Sequence, residues 1–239
     1  MSQALLNIDI EHLITEDDEP VDNILTEKQE RLLTEPLYSC WKLPNDRPFV
    51  VTANVGLFNS INLPAIVPDV LLSLDVQINT EWHKKQHRSY FVWEFGKVPD
   101  VVIEIVSNKV GEENTRKMTR YAHMGIPYYV IFDPYKQLSE ELLIIYTLQF
   151  RSYVRLNQTQ LPHIGLGLTL WQGEFEHSHY EYWLRWTDEK GQIIPTGIEF
   201  AEMEKQRAEA EKQHAETERQ RSERLAAKLR ELGLDPDLL

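Results

Sequence analysis

The chain has 239 residues, 42% of them apolar and 26% charged, with ten glycines and twelve prolines. These are the proportions of an ordinary globular protein, and they exclude collagen, low-complexity disorder and a disulfide scaffold. Cys40 is the only cysteine, which also excludes an internal disulfide and a zinc ribbon. The net charge of −13 is unevenly placed: residues 1–35 hold ten acidic against two basic side chains, while residues 36–198 hold seventeen against fifteen. The body is therefore nearly neutral, which leaves room for local basic patches but not for a strongly basic nucleic-acid-binding face. Apolar runs fall far short of the ~20 residues that span a bilayer, so no membrane partner is expected. The acidic N-terminus resembles neither a secretory signal nor a transit peptide, so the expected location is cytoplasmic.

Residues 1–22, with Glu16, Asp17, Asp18 and Glu19 before Pro20, predict a flexible acidic lead-in. A main domain is expected over residues 23–198. From Thr26 as N-cap, EKQERLLTEPLY predicts a helix of about two to three turns that Pro36 ends or kinks. After the turn signal Pro44-Asn45-Asp46, the runs PFVVTAN, DVLLSLDV, SYFVWEF, DVVIEIV, YYVIFDP, ELLIIYTLQF and SYVRL are strand-like in length and composition. Between DVVIEIV and YYVIFDP, the segment Glu112 to Met124 places Met118, Tyr121, Ala122 and Met124 on one helical face, as a crossover helix would. Strand, helix and strand within roughly 35 residues predict a βαβ unit with parallel strands. Gly165 to Trp186 predicts a hairpin packed on the sheet. Gly165 and Gly167 lack the strand-to-helix context of a phosphate-binding loop.

From 199 to 233 the composition shifts to Glu, Gln, Arg, Lys and Ala, and the heptads AEMEKQR, AEAEKQH and AETERQR repeat. A long helix is expected, ended by Gly233 as C-cap and Pro236 beyond it, with a short tail over 234–239. Ala201, Ala208, Ala215, Ser222 and Leu229 form one column, and the partner column of Glu204, Glu211 and Glu218 is polar. Both a solvated helix held by Glu–Lys and Glu–Arg pairs and a coiled coil joining copies of the chain remain open. The fold class is α/β, a mixed β-sheet core with a βαβ crossover plus a long C-terminal helix.

Two acids stand inside apolar strands, Asp69 in VPDVLLSL and Glu104 in PDVVIEIVS. A carboxylate within VVIEIV needs a cation, a proton or hydrogen bonds to offset its desolvation. One reading is an acid paired with a nearby Arg or Lys. The other is a metal site, because two carboxylates with a backbone carbonyl and waters form a hard oxygen set suited to Mg²⁺ or Mn²⁺. The crossover helix adds Arg116, Lys117 and Arg120, with Tyr121 on an adjacent face. A lysine beside a metal and a phosphodiester stabilises charge developing in the transition state, although an exposed helix lysine has the same spelling. His177, His179 and Glu181 read as a solvated strand face. His83 and His87, among Lys84, Lys85 and Arg88, read as a basic loop able to touch phosphate.

The order VPDVLLSLDV, VPDVVIEIVS and ENTRKMTRYAHMGIPYYVIFDP resembles the Uma-type family of restriction-endonuclease-like proteins, a branch of the PD-(D/E)XK nuclease superfamily. The similarity spans roughly residues 48 to 172. It implies a restriction-endonuclease-like core, with Asp69 and Glu104 as metal ligands and the backbone carbonyl of Ile105 as a third. The superfamily lysine two residues after the glutamate is replaced here by Val106, and the resemblance implies that Lys117 on the following helix takes its place. Ser107 and Tyr121 match further motif positions, and Glu113 falls where relatives carry an aspartate. The family's usual opening is not visible. If that opening supplies a helix glutamate, Glu30 or Glu35 stands in. The implied activity is Mg²⁺-dependent endonucleolytic cleavage of DNA. The alternative is an inactive nuclease fold serving as an interaction module, with the helical tail as its oligomerising element.

Overall fold

A computed structural model describes residues 24–81, 83–107 and 116–231. In it the apolar β-branched runs become the strands β1 (Phe49–Ala53), β2 (Leu57–Phe58), β3 (Val70–Leu74), β4 (Tyr90–Phe91), β5 (Val101–Ile105), β6 (Tyr128–Phe132), β7 (Leu143–Gln149), β8 (Ser152–Arg155), β9 (Gln160–Leu161), β10 (Leu166–Phe175) and β11 (Ser178–Thr187). The helices are α1 (Ile24–Cys40), α2 (Val92–Phe95), α3 (Met118–Met124) and α4 (Gly197–Glu231). The lead-in, Glu113, Gly233 and Pro236 lie outside the described residues.

A six-stranded sheet runs in the order β1-β3-β5-β6-β7-β8. It is mixed: β5 and β6 are parallel and joined through α3, while β1–β3, β3–β5, β6–β7 and β7–β8 are antiparallel. Every residue of β3, β5 and β6 is buried. Such continuous burial requires both faces of the sheet to be covered, which is why these strands carry unbroken apolar runs instead of alternation. On one face Val70, Leu72, Val101, Ile103 and Ile105 pack with Leu33 and Leu37 of α1 and with Leu166, Leu168, Leu184 and Trp186 of the β10–β11 hairpin. On the other, Leu71, Val102, Val106 and Tyr129 pack with Tyr121 of α3 and with Leu57, Ile66 and Tyr90.

Two expectations are corrected. The first helix spans 17 residues, through and beyond Pro36. Proline removes the N–H that would serve the Leu32 carbonyl, but the next carbonyl, that of Leu33, accepts the indole N–H of Trp186 at 2.8 Å, and Leu33 and Leu37 are fully buried around it. Tertiary packing thus carries the helix past its breaker. SYFVWEF is a strand only at Tyr90–Phe91, where it pairs in parallel with β2, and then turns into α2, capped by Gly96 in the left-handed conformation. The hairpin is as expected, but with β9 it forms a three-stranded sheet of its own.

The chain divides into two compact units, Met1–Ile194 and Pro195–Leu239. In the second, the Thr196 hydroxyl accepts from the Glu199 N–H at 3.2 Å and the Glu199 carboxylate accepts from the Thr196 N–H at 2.7 Å. This reciprocal capping box satisfies two donors at the start of α4. No residue of α4 is buried, and its surface carries i to i+4 pairs such as Arg207–Glu211 and Arg219–Glu223. No helix among the described residues is long and apolar enough to cross a membrane.

Candidate functional site

Strand register brings the two acids together. The antiparallel β3–β5 pairing sets Val70 against Ile103 and Leu71 against Val102. Extended by one residue, it sets Asp69 against Glu104. Directly opposed residues of an antiparallel pair share a face, with Cβ atoms roughly 4.5–5.5 Å apart. The face is that of Val102 and Val106, beneath α3. The backbone N–H of Ile105 donates to Oδ2 of Asp69, which ties the start of β3 to the end of β5.

Glu104 is completely buried. Lys117 Nζ lies 2.6 Å from its Oε2, and the phenol of Tyr121 donates to its Oε1 at 2.6 Å. Lys117 sits just before α3 and Tyr121 one turn later, so a single helical spacing delivers both donors to one carboxylate. Gly125, at φ +87, ends the helix by donating its N–H to the carbonyls of Tyr121 and Ala122. Burial, and then the neighbouring Asp69 charge, push the Glu104 carboxyl up to about 8 against the pull of Lys117 and Tyr121. Burial and the same carboxylate hold the Tyr121 phenol well above its ordinary value, so it remains a donor. The Lys117 side chain keeps 26% of its surface exposed, whereas the Glu104 side chain it meets keeps none.

The donor set fits a hard divalent cation. Two opposed carboxylates, one of them driven toward protonation by burial and then by the other, form a field that a bound cation would relieve. Among the described residues, no three His, Cys, Asp or Glu side chains form a metal-holding group.

The other candidates are placed as follows. Ser107, half-buried, follows β5 and lines an open hollow. Glu113 lies outside the described residues. Glu30 is buried and both its carboxylate oxygens lie 3.0 Å from Nδ2 of Asn54, whose N–H donates to the Asp69 carbonyl at 3.1 Å. Glu35 instead accepts from the Ser39 hydroxyl. Asn54, at φ 53, was not singled out in the sequence. Its only local signal is that asparagine tolerates the left-handed region at a strand end. Arg120 was named only as part of a basic cluster, yet it donates to the carbonyls of Pro64 at 2.8 Å and Ala65 at 3.1 Å, holding the segment that leads to Asp69 against α3.

The basic loop belongs elsewhere. Gln86 and His87 line a hollow with Asp75, Val76 and Gln77, beyond the far end of β3 from Asp69. Five strand residues separate the two ends by about 16 Å. His177, His179 and Glu181 are exposed on the β10–β11 hairpin.

Comparison with curated proteins gives no match. The family model described as Uma2, putative restriction endonuclease, matches residues 18–170, a span that includes α1, β1 to β8, Asp69, Glu104, Lys117 and Tyr121. By this match over more than half its length, the chain belongs to the Uma2 family.

Proposed function

We propose that the protein is a Mg²⁺- or Mn²⁺-dependent endonuclease that hydrolyses phosphodiester bonds of DNA, with Asp69, Glu104 and the Ile105 carbonyl holding the ion and Lys117 as the cationic catalytic group. The observation that carries this reading is the meeting of Lys117 with buried Glu104 opposite Asp69, in a chain whose family is restriction-endonuclease-like. A bound divalent ion supplies Lewis-acid polarisation of the phosphodiester and acidifies water. Tyr121 donates to Glu104 and fixes the direction of its carboxylate. Lys117 sets a positive charge beside Glu104, where it offsets the charge that grows on a non-bridging phosphate oxygen during in-line attack. The Ile105 N–H holds Asp69 in place for the same task.

The test is nicking of supercoiled plasmid with Mg²⁺ or Mn²⁺ by wild type, Asp69→Ala, Glu104→Ala and Lys117→Ala. Cleavage by wild type and its loss by roughly 10²-fold or more in each variant is the expected outcome. Equal cleavage by all four proteins rejects the assignment.

A second reading, an inactive nuclease-like module that assembles through its tail, draws on α4, whose 35 residues include no buried side chain. The column of Ala201, Ala208, Ala215, Ser222 and Leu229 gives copies of the chain a seam along which to pair. Sedimentation of full-length protein as an oligomer, and of a chain lacking residues 199–239 as a monomer, supports it. A full-length monomer that cleaves DNA removes it.

A further inference from the structure

Asp69 stands in a row that crosses three strand ends. The β1–β3 register sets Ala53 against Val70, so the next rung sets Asn54 against Asp69, as the β3–β5 register sets Glu104 against it from the other side. The Asn54 N–H donates to the Asp69 carbonyl at 3.1 Å, and the Ile105 N–H donates to the Asp69 carboxylate. The main chain of Asp69 is therefore tied to β1 and its side chain to β5. Asn54 leaves the extended conformation at φ 53, a region that glycine takes freely and asparagine at small cost. Its amide meets Glu30 of α1, which is buried and has both carboxylate oxygens 3.0 Å from Nδ2.

A second contact fixes α1 along the same strand. The phenol of Tyr38 donates to the Val51 carbonyl at 2.9 Å and accepts from the Val51 N–H at 3.0 Å. Eight residues of helix and three of strand separate the two contacts, spans of about 12 Å and about 10 Å. The helix therefore follows the outer edge of β1 and sets Glu30 at the end of that strand. It packs on the face of the sheet opposite α3, so Glu30 is not on the face that carries Asp69 and Glu104, and its link to them runs through Asn54. We infer that Glu30 and Asn54 are positioning residues for Asp69. The Glu30 carboxylate holds the Asn54 side chain, the Asn54 N–H holds the Asp69 main chain, and the start of β3 is kept where Asp69 opposes Glu104. This rests on the metal-dependent nuclease reading above and adds to it the support behind one ligand. Asparagine joins both properties that the link requires. Glycine matches the backbone without the amide, and aspartate matches it but sets a second carboxylate against buried Glu30.

The test compares the full chain with Glu30→Ala, Glu30→Gln, Asn54→Gly and Asn54→Asp, each well below its own melting temperature. One readout is Mn²⁺ titration by calorimetry. The other, which needs no ion, is hydrogen exchange of the Ile105 amide by NMR in the metal-free protein, taken relative to the Ile103 amide. In Glu30→Ala, Asn54→Gly and Asn54→Asp, Ile105 is expected to exchange about tenfold faster or more, and Mn²⁺ to bind roughly 10- to 100-fold more weakly. Glu30→Gln, which keeps an acceptor oxygen, stays close to wild type in both. A contact that only stabilises the fold shifts the melt and leaves both readouts of the folded protein unchanged, and that result overturns the proposal. Mn²⁺ bound by these variants as tightly as by wild type also overturns it, and if Asp69→Ala binds none, the metal reading stands alone. Faster Ile105 exchange in the variants of a protein that binds no Mn²⁺ rejects the metal site and keeps the hold of Glu30 and Asn54 on Asp69. No binding by wild type together with unchanged exchange in the variants rejects both.

Discussion

Asp69 accepts a hydrogen bond from the backbone N–H of Ile105, the residue that follows Glu104. The carboxylate therefore has a structural task beside any ionic one, and the two separate by substitution. Asp69→Asn keeps an acceptor oxygen and the fold, whereas Asp69→Ala strands the Ile105 donor and lowers stability by about 1–3 kcal/mol. Both abolish Mn²⁺ binding in calorimetry. Mn²⁺ bound by Asp69→Asn as tightly as by wild type removes Asp69 from the ligand set.

The buried Glu104 carboxyl sets a pH dependence of the metal-free protein. Its folded value, pushed up to about 8, lies above the ordinary 4.5, so between those values the folded state binds more protons than the unfolded one. Stability falls as pH rises through that window, by at most ~1.4 kcal/mol per pH unit for one proton, and levels off above it. Glu104→Gln carries no such proton. Urea melts from pH 5 to 9, taken as wild type minus Glu104→Gln, are expected to slope downward. An upward slope means that Lys117 dominates Glu104 and that burial and Asp69 do not.

Arg120 ties α3, which carries Tyr121 and follows Lys117, to the segment that delivers Asp69. Arg120→Ala is expected to reduce cleavage at least tenfold while leaving global melting within a few degrees, and to speed hydrogen exchange in residues 57–70. Arg120→Lys, with one compact donor group in place of a planar fork, restores part of the loss. Exchange rates identical to wild type in Arg120→Ala deny the tether.

Gln29 of α1 binds both backbone groups of Leu184, its Nε2 donating to the carbonyl at 2.8 Å and its Oε1 accepting from the N–H at 2.9 Å. The side chain lies in the buried seam between α1 and β11. Gln29→Leu leaves a donor and an acceptor unpaired there and is expected to cost about 2–5 kcal/mol, read as a shift in the urea midpoint at constant slope. A loss below about 1 kcal/mol shows that water replaces the amide.

Much of this protein is written locally. Period, length and β-branched content marked the strands of the sheet, the crossover between β5 and β6, the long hairpin and α4, because each depends on residues near one another in the chain. The order Asp69, Glu104, Lys117 was legible for the same reason. The family match begins at residue 18, some thirty residues before the resemblance visible in the motifs, and so takes in α1 as well. What local pattern left undecided was settled by long-range contact. The β3–β5 register put Asp69 opposite Glu104. The Trp186 indole let α1 run past Pro36, and the packing of α3 brought Lys117 and Tyr121 onto Glu104. Each joins groups far apart in the chain, and only the folded arrangement determines that they meet.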